Sequence, residues 1–367
     1  MIYDCFIFFN ELDLLNLRLH ELNDTVDYFV LVESHYTFTN QRKPLYFEQN
    51  KNMFHKFLPK IIHVIIDNFD QTEDIKNTQF YQQAKDTVDK NIDTWKREAQ
   101  SRNAILNGLT QCQDNDIIII SDLDEIPNKN KIKQLKKFNV IKAFDQKNYY
   151  YFFNCQSDQS IYCSRAILKK NLTNPQEVRF SPHYQTIKNG GWHFSYLGGL
   201  NKIGQKISSF SHQELNNPYF TNKKRLLFNI NNQLDIFDRP IKFKINSGLD
   251  HLPSYLQKHP KKFQKYFFKK AASKDTNTRR LIQEIQRLRQ KIEENLFLSL
   301  KIEEKHLDQI ISLKAEIILL KAKIISLKAE NRHLCLRLEE IENSHFFKLW
   351  PLYNLIKKIL KNEKKRS

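Results

Sequence analysis

The sequence predicts an α/β domain built on a largely parallel central sheet, followed by a long helical coiled coil. In the first half, short β-rich runs alternate with segments of helical period, the pattern of a sheet served by crossover helices. Polar side chains gather where those runs stop, which is the edge at which such sheets bind ligands. Beyond Pro260 the texture changes to Lys, Glu, Leu and Ile with no Gly, and no Pro before Pro351, as in one long helix.

Taken in order, strands are expected at Tyr3 to Phe9, Tyr28 to Val32, Ile61 to Ile66 and Ile117 to Ile120, with helices at Glu11 to Leu22 and Trp95 to Leu109 between them. The first run is apolar but carries Asp4, lacks a basic start and lacks a small-residue cleavage site, so it reads as a strand and not as a leader. Asn10 and Glu11 follow the first strand, Glu33 and Ser34 the second, and Ser121 to Glu125 the fourth. A site is therefore expected along that edge. The aromatic runs Tyr149 to Phe153 and Trp192 to Tyr196 add strands that finish the sheet and wall a cleft.

At 367 residues the chain exceeds one ordinary domain. The expected division is a catalytic domain over 1–255, a basic linker over 256–278, a coiled coil over 279–342 and a basic amphipathic tail over 343–367. The net charge of +18 is concentrated in the tail: from Gln257 onward there are 27 Lys and Arg against 13 Asp and Glu. A surplus placed there suits an anionic surface. No nucleic-acid module is visible, and basic residues interleaved with Glu in heptads read as a solvated helix face, so nucleic acid is not an expected partner. Five scattered cysteines without a C-x-x-C pair exclude a disulfide framework and a zinc site, and favour a reducing cytosol. No run of 18 to 20 apolar residues is present, so expected membrane association is peripheral, at the inner face of a membrane.

Between Ile310 and Ile341 the heptad is regular. Ile310, Ile317, Ile324, Asn331 and Leu338 occupy one core position, and Leu313, Leu320, Leu327, Leu334 and Ile341 the other. Ile at the first and Leu at the second favour a parallel homodimer, with Asn331 setting register. After Pro351, Leu352, Leu355, Ile356 and Ile359 share a face ringed by Lys357, Lys358, Lys361, Lys364, Lys365 and Arg366, fit for an anionic membrane or simply for solvent.

The run Asp116-Ile-Ile-Ile-Ile-Ser-Asp-Leu-Asp-Glu-Ile-Pro127 carries the chemistry: a buried strand opens into three carboxylates. In extended backbone, Asp122 and Asp124 project to the same side and can face one hard cation, Mn²⁺ or Mg²⁺. A divalent ion there would neutralise a diphosphate leaving group as a Lewis acid. Two other readings use the same residues: a polar turn after a strand, and a haloacid-dehalogenase-like phosphatase with Asp122 as nucleophile. Three strands precede this one, which counts against the phosphatase.

Several ordered blocks together resemble glycosyltransferase family 17, the family of the β-1,4-mannosyl-glycoprotein β-1,4-N-acetylglucosaminyltransferases, from about Tyr3 to His251. They are Tyr3-Asp-Cys-Phe-Ile-Phe-Phe-Asn-Glu-Leu-Asp13, Val32-Glu-Ser34 with Thr37-Phe38, Trp95-x-Arg97-Glu98 with Arg102-Asn103, Ser121-Asp-Leu-Asp-Glu-Ile-Pro127, and Gly191-Trp-His-Phe-Ser-Tyr196 leading to Ser211-His-Gln-Glu214. The resemblance implies a GT-A-like nucleotide-sugar fold, inverting transfer and UDP-N-acetylglucosamine (UDP-GlcNAc) as donor. With neither leader nor anchor in the sequence, the expected acceptor is an intracellular glycan precursor such as a lipid-linked oligosaccharide.

Roles follow for single residues. Asp122 and Asp124 are expected to hold the metal, with His212, in preference to His193, completing the site through an imidazole nitrogen. Arg97 and Arg102, on the helix feeding the acidic strand, suit diphosphate oxygens, and Lys206 can assist. Asn10, Glu11 and Glu33 are donor contacts at the strand ends, and Trp192 and Tyr196 could stack on acceptor sugars. An inverting transfer needs a carboxylate base, for which Glu214, Glu125, Asp158 and Asp250 are all candidates. The opposing possibility is a catalytically silent coiled-coil scaffold at a membrane.

Overall fold

The computed structural model describes residues 1–71, 74–135, 138–269, 276–343, 351–355 and 357–358. Two compact units result, Met1–Arg289 and Gln290–Ser367.

The first unit opens with β1 (Ile2–Ile7), α1 (Leu12–Leu22), β2 (Tyr28–Ser34), α2 (Tyr46–Asn50) and β3 (Ile61–Ile66). After α3 (Gln79–Val88) and α4 (Ile92–Asn103), β4 (Ile117–Asp122) enters beside β1. The order β4-β1-β2-β3 is parallel throughout, with Cys5 opposite both Val30 and Ile120. These strands are near-continuous apolar runs because helices cover both of their faces.

Beyond β4 the expectation of a mostly parallel sheet is corrected: the ten-stranded sheet is mixed. The next elements are β5 (Glu125–Pro127), α5 (Lys129–Ile132), β6 (Lys142–Tyr150), β7 (Cys155–Ile161), β8 (Arg165–Leu168), α6 (Pro175–Phe180) and β9 (Gln185–Ser195). β8 lies antiparallel to β4, β6 to β8, β7 to β6, and β5 to β9, while β9 runs parallel to β6. The reason is connection length. Four residues separate β6 from β7, enough for a hairpin but far short of the crossover that a parallel pair requires. The run expected as a strand to Phe153 breaks at Tyr151, whose φ of 65° turns the chain.

The unit closes with α7 (Gly199–Ser209), α8 (Lys223–Asn232), β10 (Phe243–Ile245), which pairs with β7, and α9 (Ser254–Lys258). Alternation along the strands sorts the core by face. Phe6, Phe29, Leu31 and Ile119 pack with Leu15, Leu19 and Leu22 of α1 and with Leu256 of α9, whereas Cys5, Val30, Ile118 and Ile120 pack with Ile105 and with Val178 of α6. Leu256 and Phe263 are buried in the first of these clusters. The globular unit thus continues past residue 255, and the basic stretch from 256 begins as packed structure instead of linker. Cys5, Cys112, Cys155 and Cys163 are free thiols.

The helix expected over 279–342 is present as α10 (Thr276–Asn343). Of the expected amphipathic tail, Leu352 and Leu355 are exposed in a helical segment, while Ile356, Ile359, Lys361, Lys364, Lys365 and Arg366 lie outside the described residues. Among the described residues no helix is long and apolar enough to cross a membrane.

The β5–β9 pair matters to everything that follows, and it depends on Gly191, where φ is +145° and a Cβ would lie 2.2 Å from the Ile126 carbonyl oxygen. Gly191→Ala is expected to destabilise the unit by about 1–3 kcal/mol, read by urea unfolding.

Candidate active site

The acidic turn after β4 is shaped from beneath by one arginine. Arg18 of α1 is completely buried, with its guanidinium 4.6 Å from the Phe6 ring centroid. Its Nε and Nη2 donate to Asp4 Oδ2 (2.8 Å) and Oδ1 (2.6 Å), a bidentate pair with a carboxylate that is itself fully buried. Nη1 donates to the carbonyls of Asp122 (2.9 Å), Leu123 (3.1 Å) and Glu125 (2.8 Å), and Nη2 also to Ser121 Oγ. A turn whose carbonyls would otherwise face an apolar core thereby has its acceptors satisfied.

That turn sends its carboxylates in different directions. Leu123 and Asp124 have left the extended conformation, so the i, i+2 rule no longer places Asp122 and Asp124 on one side. Asp122 points to the α4 and α6 face, where Arg102 Nη2 reaches Oδ1 at 2.9 Å and Arg179 Nη2 reaches Oδ2 at 2.7 Å. Burial alone would raise the Asp122 carboxyl, but Arg179 and then Arg102 outweigh it and hold it below the usual carboxylate range. Both Asp122 oxygens are thus paired with guanidiniums, against the expectation of an open carboxylate sharing one side with Asp124. Arg102, expected at the diphosphate, is fully buried and bonded to Glu98, Gln176 and Asp122.

Glu125 is likewise internal. Its Oε1 and Oε2 accept from Arg179 at 2.8 Å each, and Oε2 also accepts from the Asp122 N–H and from Ser164 Oγ. At 2% exposure it cannot meet an acceptor hydroxyl, so its place is to lock the turn.

Asp124 turns towards α7 and β9. Its Oδ2 lies 2.7 Å from Lys206 Nζ and 3.5 Å from His193 Nε2. Burial opposes ionisation, but Lys206 and then His193 drive the carboxyl well below its usual range, and Asp124 in turn raises the Lys206 ammonium against its own burial. His193 Nδ1 sits 2.9 Å from Asn148 Oδ1, which holds the ring with its Nε2 edge towards Asp124. Pairing of β9 with β5 and β6 fixes this arrangement by placing His193 opposite Glu125 and Asn148.

Helix α7 lies across the strand ends: Lys202 Nζ donates to the Asn10 carbonyl (3.3 Å), Asn10 Nδ2 to Gln205 Oε1 (3.4 Å), and Thr39 Oγ1 to the Ser208 carbonyl (3.3 Å). Asn10 therefore contacts the helix that carries Lys206, and Glu11 lies close enough to Lys206 to favour its charge. Tyr196 supports that lysine from below, its ring centroid 5.4 Å from Lys206 Nζ.

Other expected residues are placed elsewhere. Glu33 is buried, accepting from the Phe47 N–H at 3.0 Å and facing His63 Nε2 at 3.2 Å, so it anchors the loop after β2. Arg97 Nε is bonded to the Phe38 carbonyl. Trp192 precedes His193 on β9 and so projects to the opposite face, where it packs on the main core and its Nε1 donates to the His251 carbonyl at 2.6 Å. Asp158 lies on β7, separated from β4 by β6 and β8, with Oδ1 on the Lys242 N–H. Asp250 is almost fully exposed beside His251. His212, the preferred imidazole ligand, instead pairs through Nδ1 with Glu214 Oε1 at 2.8 Å, its ring edge-on to Trp95.

Two residues central to the site, Arg18 and Arg179, drew no notice in the sequence. Arg18 had a signal: it is the single cation in the otherwise leucine-rich helix Leu12–Leu22. Arg179, between Val178 and Phe180, had none.

Among the described residues no three His, Cys, Asp or Glu side chains converge tightly enough to hold a metal ion alone. Asp124 and His193 can offer a carboxylate and an imidazole to such an ion.

Arg18→Met leaves Asp4 and three carbonyls unpaired and is expected to cost about 3–5 kcal/mol in urea unfolding. Arg18→Lys keeps the charge but not the fork, so a smaller loss of stability with a disproportionate loss of kcat is expected.

The profile of glycosyltransferase family 17 matches residues 1–271. Beta-1,4-mannosyl-glycoprotein 4-beta-N-acetylglucosaminyltransferase of Homo sapiens is 28% identical over 136 residues, covering 35% of this chain and 22% of the relative. Its Mus musculus counterpart is 27% identical over the same coverage. The shared segment is thus about a fifth of those proteins, but the family match spans the whole mixed sheet, the turn that carries Asp124 and the strand that carries His193, and the chain belongs to glycosyltransferase family 17.

Proposed function

We propose that this glycosyltransferase has a GT-A-like fold and moves N-acetylglucosamine, with inversion, from UDP-GlcNAc to a glycan acceptor such as a lipid-linked oligosaccharide, assisted by Mn²⁺ or Mg²⁺. The observation that carries the reading is the cluster of Asp124, His193 and Lys206 at the carboxyl edge of the sheet, in a chain whose aligned relatives are by name N-acetylglucosaminyltransferases.

Asp124 and His193 would hold the metal, and a bound divalent ion supplies Lewis-acid neutralisation of the departing diphosphate. Lys206 is the mobile cation of the site. Its ammonium rests on Asp124 Oδ2 and can exchange that partner for a phosphate oxygen. Asn10 and Glu11, at the end of β1, border the donor side. Arg18, Arg102 and Arg179 touch no substrate in this scheme; they fix the turn that aims Asp124.

Among the base candidates, Glu125 and Asp158 are bonded within the fold, and Asp250 stands beside the Trp192 face of β9. Glu214 is left, partly exposed, with His212 on Oε1 and Asn91 on Oε2. We assign to it removal of the acceptor hydroxyl proton as the sugar is transferred.

The test is release of UDP from UDP-GlcNAc by purified protein with Mn²⁺ or with chelator, set beside Mn²⁺ binding by electron paramagnetic resonance. Asp124→Asn is expected to lower kcat by about 100-fold or more and to abolish Mn²⁺ binding. His193→Ala should weaken Mn²⁺ binding by about 10–100-fold, whereas His212→Ala should leave it unchanged. Equal metal affinity in all three variants would overturn the assignment of ligands. Separately, Glu214→Gln should reduce kcat for transfer by about 100-fold or more while donor KM and Mn²⁺ binding stay as in the wild type; an unaltered kcat would remove Glu214 from the base role.

A further inference from the structure

We propose that residues 305–330 of α10 pair in parallel and in register with the same residues of a second copy of this chain. Ile310, Ile317 and Ile324 at one heptad position and Leu313, Leu320 and Leu327 at the other form one stripe. Each of these six is 48–60% exposed. The stripe runs about 25 Å along the helix, too much regular apolar surface to stand in water. Its periodicity is that of a helix meeting another helix, since Ile and Leu at a 3–4 spacing supply both the knobs and the holes of such a seam.

Charge selects the occupant and its direction. Beside the Leu column stand Lys314, Lys321 and Lys328; beside the Ile column stand Glu316, Lys323 and Glu330. In an antiparallel pair the all-lysine column would face its own copy along the whole seam. In a parallel pair the lysine column faces the mixed column instead, and Glu316 of each copy meets Lys321 of the other, leaving Lys323 against Lys328 as the one repulsive match. The mixed column that the lysines require is the one this helix already carries, so the fitting partner is a second copy.

Sedimentation equilibrium of the full chain at low micromolar concentration is expected to give twice 44.0 kDa. The double variant Ile317→Lys with Leu320→Lys should sediment as a single chain, with near-UV circular dichroism and UDP release unchanged, which separates lost pairing from lost folding and from the catalytic assignment. Orientation is read by oxidising Leu313→Cys and Leu327→Cys, each alone, on a Cys335→Ser background. In a parallel pair both variants cross-link to themselves. A wild-type mass of 44.0 kDa overturns the proposal. So does a mass of three or four chains, which would bury Ile318 and Ile325 as well, and so does cross-linking only when the two cysteine variants are mixed.

Discussion

The Arg18–Asp4 pair is the constraint on which the rest of the catalytic unit depends. Both groups are taken wholly out of water, and two charges moved that deep are tolerated only where geometry and hydrogen bonding are nearly complete. Here the completeness comes from the acidic turn itself, because three of its backbone carbonyls accept from the same guanidinium. The pair therefore does more than neutralise Asp4. It makes the correct turn after β4 the condition for burying α1 on the sheet, coupling the stability of the core to the geometry of the cleft.

On the opposite face of the same turn, charge is balanced in a second layer. Asp122 and Glu125 lie between Arg102 and Arg179, and the four form one network with a hydrogen bond from the Asp122 N–H to Glu125 closing the loop. Two layers of arginine thus clamp five residues from above and below. Asp124 is the member turned away from that network, towards α7 and β9, and its depressed carboxyl keeps its negative charge there. Lys206 and His193 are its neighbours there, and they arrive from α7 and β9, elements about 70 to 80 residues later in the chain.

The long helix obeys a different physics. Its apolar stripe is set by a seven-residue period and by neighbours three and four positions away, with no long-range contact required to define it. The globular unit is the reverse case, because its decisive contacts join residues far apart: Arg18 to Glu125, Arg102 to Gln176, Arg179 to Asp122.

By itself the sequence determined what local pattern and residue chemistry can determine. It defined the four parallel strands, the acidic run that ends β4 and the helix with its heptads, because hydrophobic period and turn chemistry act over a few residues. Asp124 and Lys206 were legible as candidates for the same reason, being charges at a strand end and on an amphipathic helix, and the fold brings the two together. Only the tertiary structure decided that the two aspartates part company, since a turn at Leu123 cancels the strand alternation that would align them. It decided that Trp192 faces the core and His193 the cleft, through the pairing of β9 with β5 and β6. It also decided that Arg102 and Glu125 are bonded within the fold, because whether a charge meets a substrate or another charge depends on which distant side chain folding brings beside it, and no local spacing encodes that.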